Sequence, residues 1–191
     1  SIACGKSTVS AYLASLGCTI VDADAISRAL TADGGAALPA VRQAFGDSVF
    51  RGESLDRRAL GQLVFSDFQK RDELNAILHP LILREIARQL DALDAPEKFV
   101  IGDIPLLYEC GMQTLFDAVW VVSVPRETQI ERLALRDGLD RTQAEQRIDA
   151  QMPLSQKEKL ADAVIHTDGT IEQTQRQIDA LLCRLAQRRK P

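Results

Sequence analysis

No stretch of this sequence approaches the ~18 consecutive apolar residues of a membrane-spanning helix, so no bilayer span is expected. No secretory signal opens it either. Histidine is almost absent, with two in 191 residues. The four cysteines, Cys4, Cys18, Cys110 and Cys183, lie far apart and make no C-x-x-C pair. These groups form no zinc pattern, and reduced cysteines in a cytosolic protein are the expectation. Positive charge is not in excess: the formal net charge is -4. That argues against a nucleic-acid protein relying on a strong positive field. There is no internal repeat and no low-complexity tract. What is present is apolar residues at 46% of the chain, enough for a proper core in one domain or one domain with insertions.

Strand-like and helix-like runs alternate along the chain. "GKSTVSAYLASLG" reads as a helix, with Val9, Leu13 and Leu16 at helical spacing and Gly17 as its stop. "CTIVDAD" reads as a short buried strand whose C-terminal end carries Asp22 and Asp24. "AISRALTADGG" starts a helix that breaks at Gly34-Gly35. Residues from about 36 to 95 show no convincing strand and several helical periods, with Pro80 placed to begin the last helix. "KFVIGD" and "AVWVVSV" read as strands, the first ending at Asp103. Two helices follow, one ending at Gly138, the next capped by Asp140 and stopped at Pro153. "LADAVIHTDG" holds a short last strand. The final helix shows one face of Ile171, Ile178, Leu181, Leu182 and Leu185, and its "RRKP" end reads as a solvated tail. This alternation predicts an α/β fold with a mostly parallel sheet. Ligands in such sheets bind at the C-terminal strand edges, where topology would bring Asp22, Asp24 and Asp103 beside the start of the first helix.

That start, "SIACGKSTV", carries the second half of a phosphate-binding loop, G-x-x-x-x-G-K-[ST]. The first glycine would fall one residue before Ser1, and a strand feeding the loop is expected upstream of it. Gly5 lets backbone approach phosphate, and the N–H groups of the loop and helix start attract anions. Lys6 would reach the β- and γ-phosphates, the Ser7 hydroxyl would hold Mg²⁺, and Thr8 would add a phosphate contact. Ala3 and Cys4 supply loop backbone, and Ala3 suits its place if it avoids positive φ. A Ser/Thr-rich helix start that contains GKS by chance is the alternative.

Transfer of phosphate to an alcohol needs a carboxylate to orient the hydroxyl and accept its proton. Asp24 is placed for that role, although it could instead cap "AISRAL", and Asp22 could do the same. Asp103 could hold Mg²⁺ through water or simply end a strand. Arg132, Arg136, Arg141 and Arg147 lie on the two helices around "DGLDR" and could surround the migrating group on closure. A solvated charged face is the alternative, and Arg136 and Arg141, flanking the turn, are the better candidates.

Taken together, "GKSTV", "VDADAISR", "LDRRALGQLVF", "LNAILHPLI", "DIPLLYE", "RLALRDGLDRTQAEQRIDAQMP" and "LADAVIHTDG" resemble dephospho-coenzyme A kinases, in family order and over essentially the whole chain. The resemblance implies a P-loop kinase fold with a five-stranded, mostly parallel sheet. It implies transfer of the ATP γ-phosphate to the ribose 3′-hydroxyl of dephospho-CoA, with Mg²⁺, in the cytoplasm. On it, 1–191 is a single kinase domain. Residues 1–29, 96–124 and 156–191 form the nucleotide-binding core, 30–95 a helical CoA-binding lobe and 125–155 a lid. Asp24 becomes the catalytic base, His79 lies near the substrate, and Leu106, Leu107 and Glu109 line the acceptor pocket. Arg136, with Arg141, serves the ATP site beside Lys6.

Two departures stand out. The family loop usually reads G-G-I-G-S-G-K-S where this chain has Ser1-Ile2-Ala3-Cys4-Gly5, and the family's late Asn-x-Gly is here Thr167-Asp168-Gly169. An adenine contact from Thr167 would have to be made differently. The rival readings are another small-molecule or nucleotide kinase on the same scaffold and a nucleotide-dependent switch without transfer chemistry. Oligomeric state is not legible.

Overall fold

The structure is a computed structural model and describes residues 1–92, 99–109 and 111–188. Cys110, the end of the expected helix at Leu93, the start of the expected strand at Lys98 and the last residues of "RRKP" lie outside them. In chain order the elements are α1 (Lys6–Ser15), β1 (Thr19–Asp22), α2 (Ala23–Leu30), α3 (Leu38–Phe45), β2 (Phe50–Arg51), β3 (Ser54–Leu55), α4 (Arg57–Ser66), α5 (Phe68–Asp91), β4 (Val100–Asp103), β5 (Trp120–Ser123), α6 (Arg126–Asp137), α7 (Arg141–Asp149), α8 (Leu154–Leu160), β6 (Ala163–His166) and α9 (Ile171–Arg188). They fall into two compact units: residues 1–20 with 105–191, and residues 21–104.

The first unit is built on β5 and β6, which run parallel in the register Trp120↔Ala163 to Ser123↔His166. Parallel neighbours need a long crossover, and α6, α7 and α8 provide it. Val121, Val122 and Ile165 are buried along this pair, and α1 and α9 add Leu13 and Ile178. Burial of each large aliphatic side chain stabilises by ~1.5–3 kcal/mol. Leu16, expected on the apolar face of α1, and Ile171, expected on that of α9, are instead exposed. Leu133 and Ala144 join α6 to α7, with Ile2 and Ala3 packed against them. Gly138 ends α6 in the left-handed conformation, and Asp140 opens α7 with a capping box to Gln143. Pro153 stands just ahead of α8, a helix the sequence reading did not foresee. A proline that cannot continue one helix is well suited to precede the next.

The second unit is mostly helical. Ala37, Val41, Phe45, Val49 and Leu60 form its core, with Leu74, Ile77, Leu78 and Leu81 of α5 packed against it. Asp56 caps α4 by accepting from the N–H groups of Arg58 and Ala59. Two expectations fail here. β2 and β3 make an antiparallel hairpin, Phe50↔Leu55 and Arg51↔Ser54, where no strand was foreseen. Gly52 at φ 63 opens its two-residue turn, a short-range signal overshadowed by helical neighbours. Pro80 does not begin a helix but lies inside the continuous α5. It removes one donor from the ladder, and the apolar face of α5 on this core outweighs that loss.

The expected five-stranded sheet counted a strand ahead of Ser1. Among the described residues the four α/β strands pair two and two, β1 with β4 and β5 with β6. The mixed α/β class with parallel pairing stands.

Candidate active site

The phosphate loop leads straight into α1. Gly5 is its N-cap residue at φ 79, with its carbonyl accepting from Thr8 and Val9. The next N–H groups are those that a helix leaves without an internal acceptor. No acidic side chain occupies the first turn, so no carboxylate of α1 competes for that positive end. Lys6 begins the helix, and Ser7 and Thr8 are exposed in its first turn. Gly5 is doubly required: its φ suits glycine, and a Cβ there would meet Thr167 Oγ1 at 3.0 Å.

Ahead of Gly5 the loop backbone is held on all sides. The Ile2 N–H donates to Gln151 Oε1 at 3.0 Å, and Ile2 O accepts from Gln129 Nε2 at 2.8 Å. Ala3 O accepts from Arg132 Nη1 at 3.3 Å. Cys4 O accepts from the Thr167 hydroxyl at 2.7 Å. The expectation that Ala3 avoids positive φ is wrong: it sits at φ 56. A conformation that glycine would adopt freely is kept here by an alanine, whose carbonyl and neighbours are fixed by hydrogen bonds. Cys4 turns its side chain inward, 1% exposed, and burial pushes its thiol pKa up. Thr167 faces the loop rather than open space and is itself buried.

In the second unit, β1 ends at Asp22 rather than running on to Asp24. Asp22 is the cap of α2, accepting from the N–H groups of Asp24 and Ala25 at 2.8 and 3.0 Å. That settles the capping question in favour of Asp22 and leaves Asp24 in the first turn of the helix. Asp103 is the last residue of β4, the neighbour of β1. His79 lies mid-helix in α5, half-buried, so it caps nothing; burial lowers its pKa.

Arg136, Arg141 and Arg147 are engaged with carboxylates, whereas Arg132 bonds to the loop and to Thr167. Arg136 pairs with Asp137 at 2.8 Å, and Arg147 meets the same carboxylate at 3.0 Å. Arg141 spans to Glu127 at 2.7 Å and Glu145 at 3.0 Å. Leu106, Leu107 and Glu109 follow in a turn. Leu106 is exposed, while Leu107 O accepts from the Met112 N–H. Glu109 Oε1 accepts from the Met152 N–H at 3.0 Å and meets Lys157 Nζ at 2.6 Å. Lys157 is only 3% exposed. Gln129, Gln151, Thr167 and Lys157 were not foreseen as supporting residues. Their partners are distant in sequence, and no periodicity or motif announces them. Among the described residues no cluster of three or more metal-ligating side chains occurs.

Comparison with known proteins gives one consistent result. The family model described as "CoaE: Dephospho-CoA kinase" matches residues 1–173. A dephospho-CoA kinase of Bacillus licheniformis is 44% identical over 183 residues, 95% of this chain and 91% of that protein. One of Geobacter metallireducens is 45% identical over 184 residues, 94% of this chain and 90% of that protein. Among solved structures, TT1252 from Thermus thermophilus superposes with a TM-score of 0.84 at 36% identity, covering 97% of this chain and 94% of that one. A dephospho-CoA kinase from Campylobacter jejuni gives a TM-score of 0.71 at 28% identity, covering 100% and 96%.

Proposed function

The chain belongs to the dephospho-CoA kinase family, and from that premise we propose that it transfers the γ-phosphoryl group of ATP to the ribose 3′-hydroxyl of dephospho-CoA. The near full-length match to relatives of that name carries the reading. The open, acid-free N-terminus of α1 supports the nucleotide half of it.

Asp24 orients the 3′-hydroxyl and accepts its proton as the oxygen bonds to the γ-phosphorus. The bond from that phosphorus to the β,γ-bridging oxygen breaks, and ADP leaves. Lys6 and the backbone from Ala3 to Thr8 hold the phosphates and offset their charge. Arg136 and Arg141, on a lid of residues 125–155, bring further positive charge to ATP. They would exchange exposed carboxylate pairs for phosphate, and such pairs contribute only ~0–1 kcal/mol each. The helical segment 30–95 binds the CoA portion with His79 near it, and Leu106 and Leu107 line the acceptor pocket. Glu109 shapes that pocket, since its carboxylate is taken by Lys157 and the Met152 N–H.

The donor set fits magnesium. Ser7 and Asp103 offer hard oxygen atoms, and a cation bound largely through phosphate and water needs no cluster of protein ligands. Magnesium would be held by the Ser7 hydroxyl and, through water, by Asp103, and it would supply neutralising charge to the phosphates. No helix among the described residues is long and apolar enough to cross a membrane. On the kinase reading we place the reaction in the cytoplasm.

The test is ATP consumption by the purified protein with dephospho-CoA, nucleoside monophosphates and shikimate in parallel. Turnover with dephospho-CoA alone is expected. Turnover with a nucleoside monophosphate and none with dephospho-CoA would move the protein to another kinase class.

A further inference from the structure

The loop that receives phosphate is itself held by side chains from far along the chain. Arg132 donates through Nη1 to Ala3 O and to Thr167 Oγ1, both at 3.3 Å, and through Nη2 to Thr167 O at 2.6 Å. The Thr167 hydroxyl in turn donates to Cys4 O at 2.7 Å. The two residues therefore form one bracket, closed on itself and fastened to consecutive loop carbonyls. It lies directly against Gly5, whose Cβ would stand 3.0 Å from Thr167 Oγ1 and 3.4 Å from Arg132 Nη1. Ala3, inside the bracket, is the one non-glycine residue with positive φ among those described.

We propose that Arg132 and Thr167 are positioning residues for phosphoryl transfer, locking the phosphate loop in its anion-receiving shape. Carbonyls of this loop turned inward would put partial negative charge where phosphate must sit. Bonding Ala3 O and Cys4 O from outside keeps them turned away and leaves the N–H groups at the start of α1 to the anion. The bracket also maintains the positive φ that alanine resists. The inference rests on the kinase reading above, since the bracket matters only if the loop holds phosphate.

The test pairs Thr167→Val, which keeps the shape and removes the hydroxyl, with Thr167→Ser, which keeps the hydroxyl. MgATP binding is measured by calorimetry, KM for each substrate by turnover, and stability by thermal melting. Thr167→Val is expected to weaken MgATP by about five- to tenfold while KM for dephospho-CoA stays within about twofold. Thr167→Ser is expected to restore MgATP binding to within about twofold of wild type. Thr167→Ala takes the place of valine if that variant does not fold. Arg132→Lys, which keeps the charge and loses the fork, is expected to give the same pattern. Because both act through one bonded unit, the Arg132→Lys, Thr167→Val double variant is expected to bind little worse than the weaker single variant.

A lower melting temperature for Thr167→Val with MgATP affinity within twofold of wild type would show a merely structural role. Loss of binding in Arg132→Lys alone, with Thr167→Val normal, would assign Arg132 to direct nucleotide contact and overturn the bracket. Nucleotide binding is read without the acceptor, so failure to phosphorylate dephospho-CoA would fault the kinase reading and leave this comparison intact.

Discussion

Replacing Glu109 with Gln should destabilise the protein far more than such a small change ordinarily does. Lys157 is 3% exposed, and its Nζ stands 2.6 Å from Glu109 Oε1. Among the described residues that nitrogen has an ion pair but no hydrogen bond of good geometry, so its charge depends on Glu109. Glutamine keeps an oxygen able to accept from the Met152 N–H, so the substitution removes chiefly the charge. Breaking a buried pair by removing one partner costs ~3–5 kcal/mol. The Glu109 side chain is 22% exposed, so the lower end, ~3 kcal/mol, is the working figure. At ~2–4 °C per kcal/mol for a chain of this size, the melting temperature should fall by roughly 6–12 °C. Adding Lys157→Met to Glu109→Gln removes the stranded ammonium, and the double variant should recover most of the loss. Thermal unfolding followed by circular dichroism at neutral pH reads all three proteins. A melting point for Glu109→Gln within ~2 °C of wild type would refute the reasoning, as would a double variant less stable than the single one.

Three further outcomes are expected. Asp24→Asn should cut the phosphorylation rate by ~10²–10⁴ with MgATP affinity near normal; steady-state kinetics with calorimetry checks this, and an unchanged rate would remove Asp24 from the mechanism. Burial lowers the pKa of His79, so the folded protein should hold it neutral at pH 7, with an NMR midpoint below the ordinary value of ~6.5. Its contribution to stability is then present above the unfolded-state value and lost as pH falls through it toward the folded value; a midpoint at or above ~6.5 would contradict this. Cys4, buried with its thiol pKa raised, should alkylate roughly tenfold or more slowly than exposed Cys183, as peptide mass mapping over time would show.

The parts of this protein that were legible in its sequence are those specified by neighbours in the chain. Gly17, Gly138 and Asp140 marked helix ends because caps and stops act within one turn. Asp103 at the end of β4 and the start of α1 at Lys6 followed from short apolar runs and a local motif. Pro80 misled because its local preference for a helix start was overridden by the packing of α5 on Phe45 and Leu60. The hairpin at 50–55 was hidden because two-residue strands are too short to show a period. Asp22 and Asp24 were both visible as carboxylates, but which one caps α2 depended on where β1 ends, a boundary of one or two residues. The support of the phosphate loop was not legible at all. Gln129 and Gln151 sit on or beside helices as ordinary polar residues, and Thr167 is 163 positions from the carbonyl it binds.

The central claim is that phosphate passes from ATP to one particular hydroxyl. Incubating the protein with magnesium, ATP and dephospho-CoA and recording the ³¹P spectrum of the purified product tests it most directly. The account predicts one new phosphomonoester, on the ribose 3′-oxygen, formed in step with ADP. ADP released without that phosphomonoester, or a phosphate on any other oxygen, would contradict it.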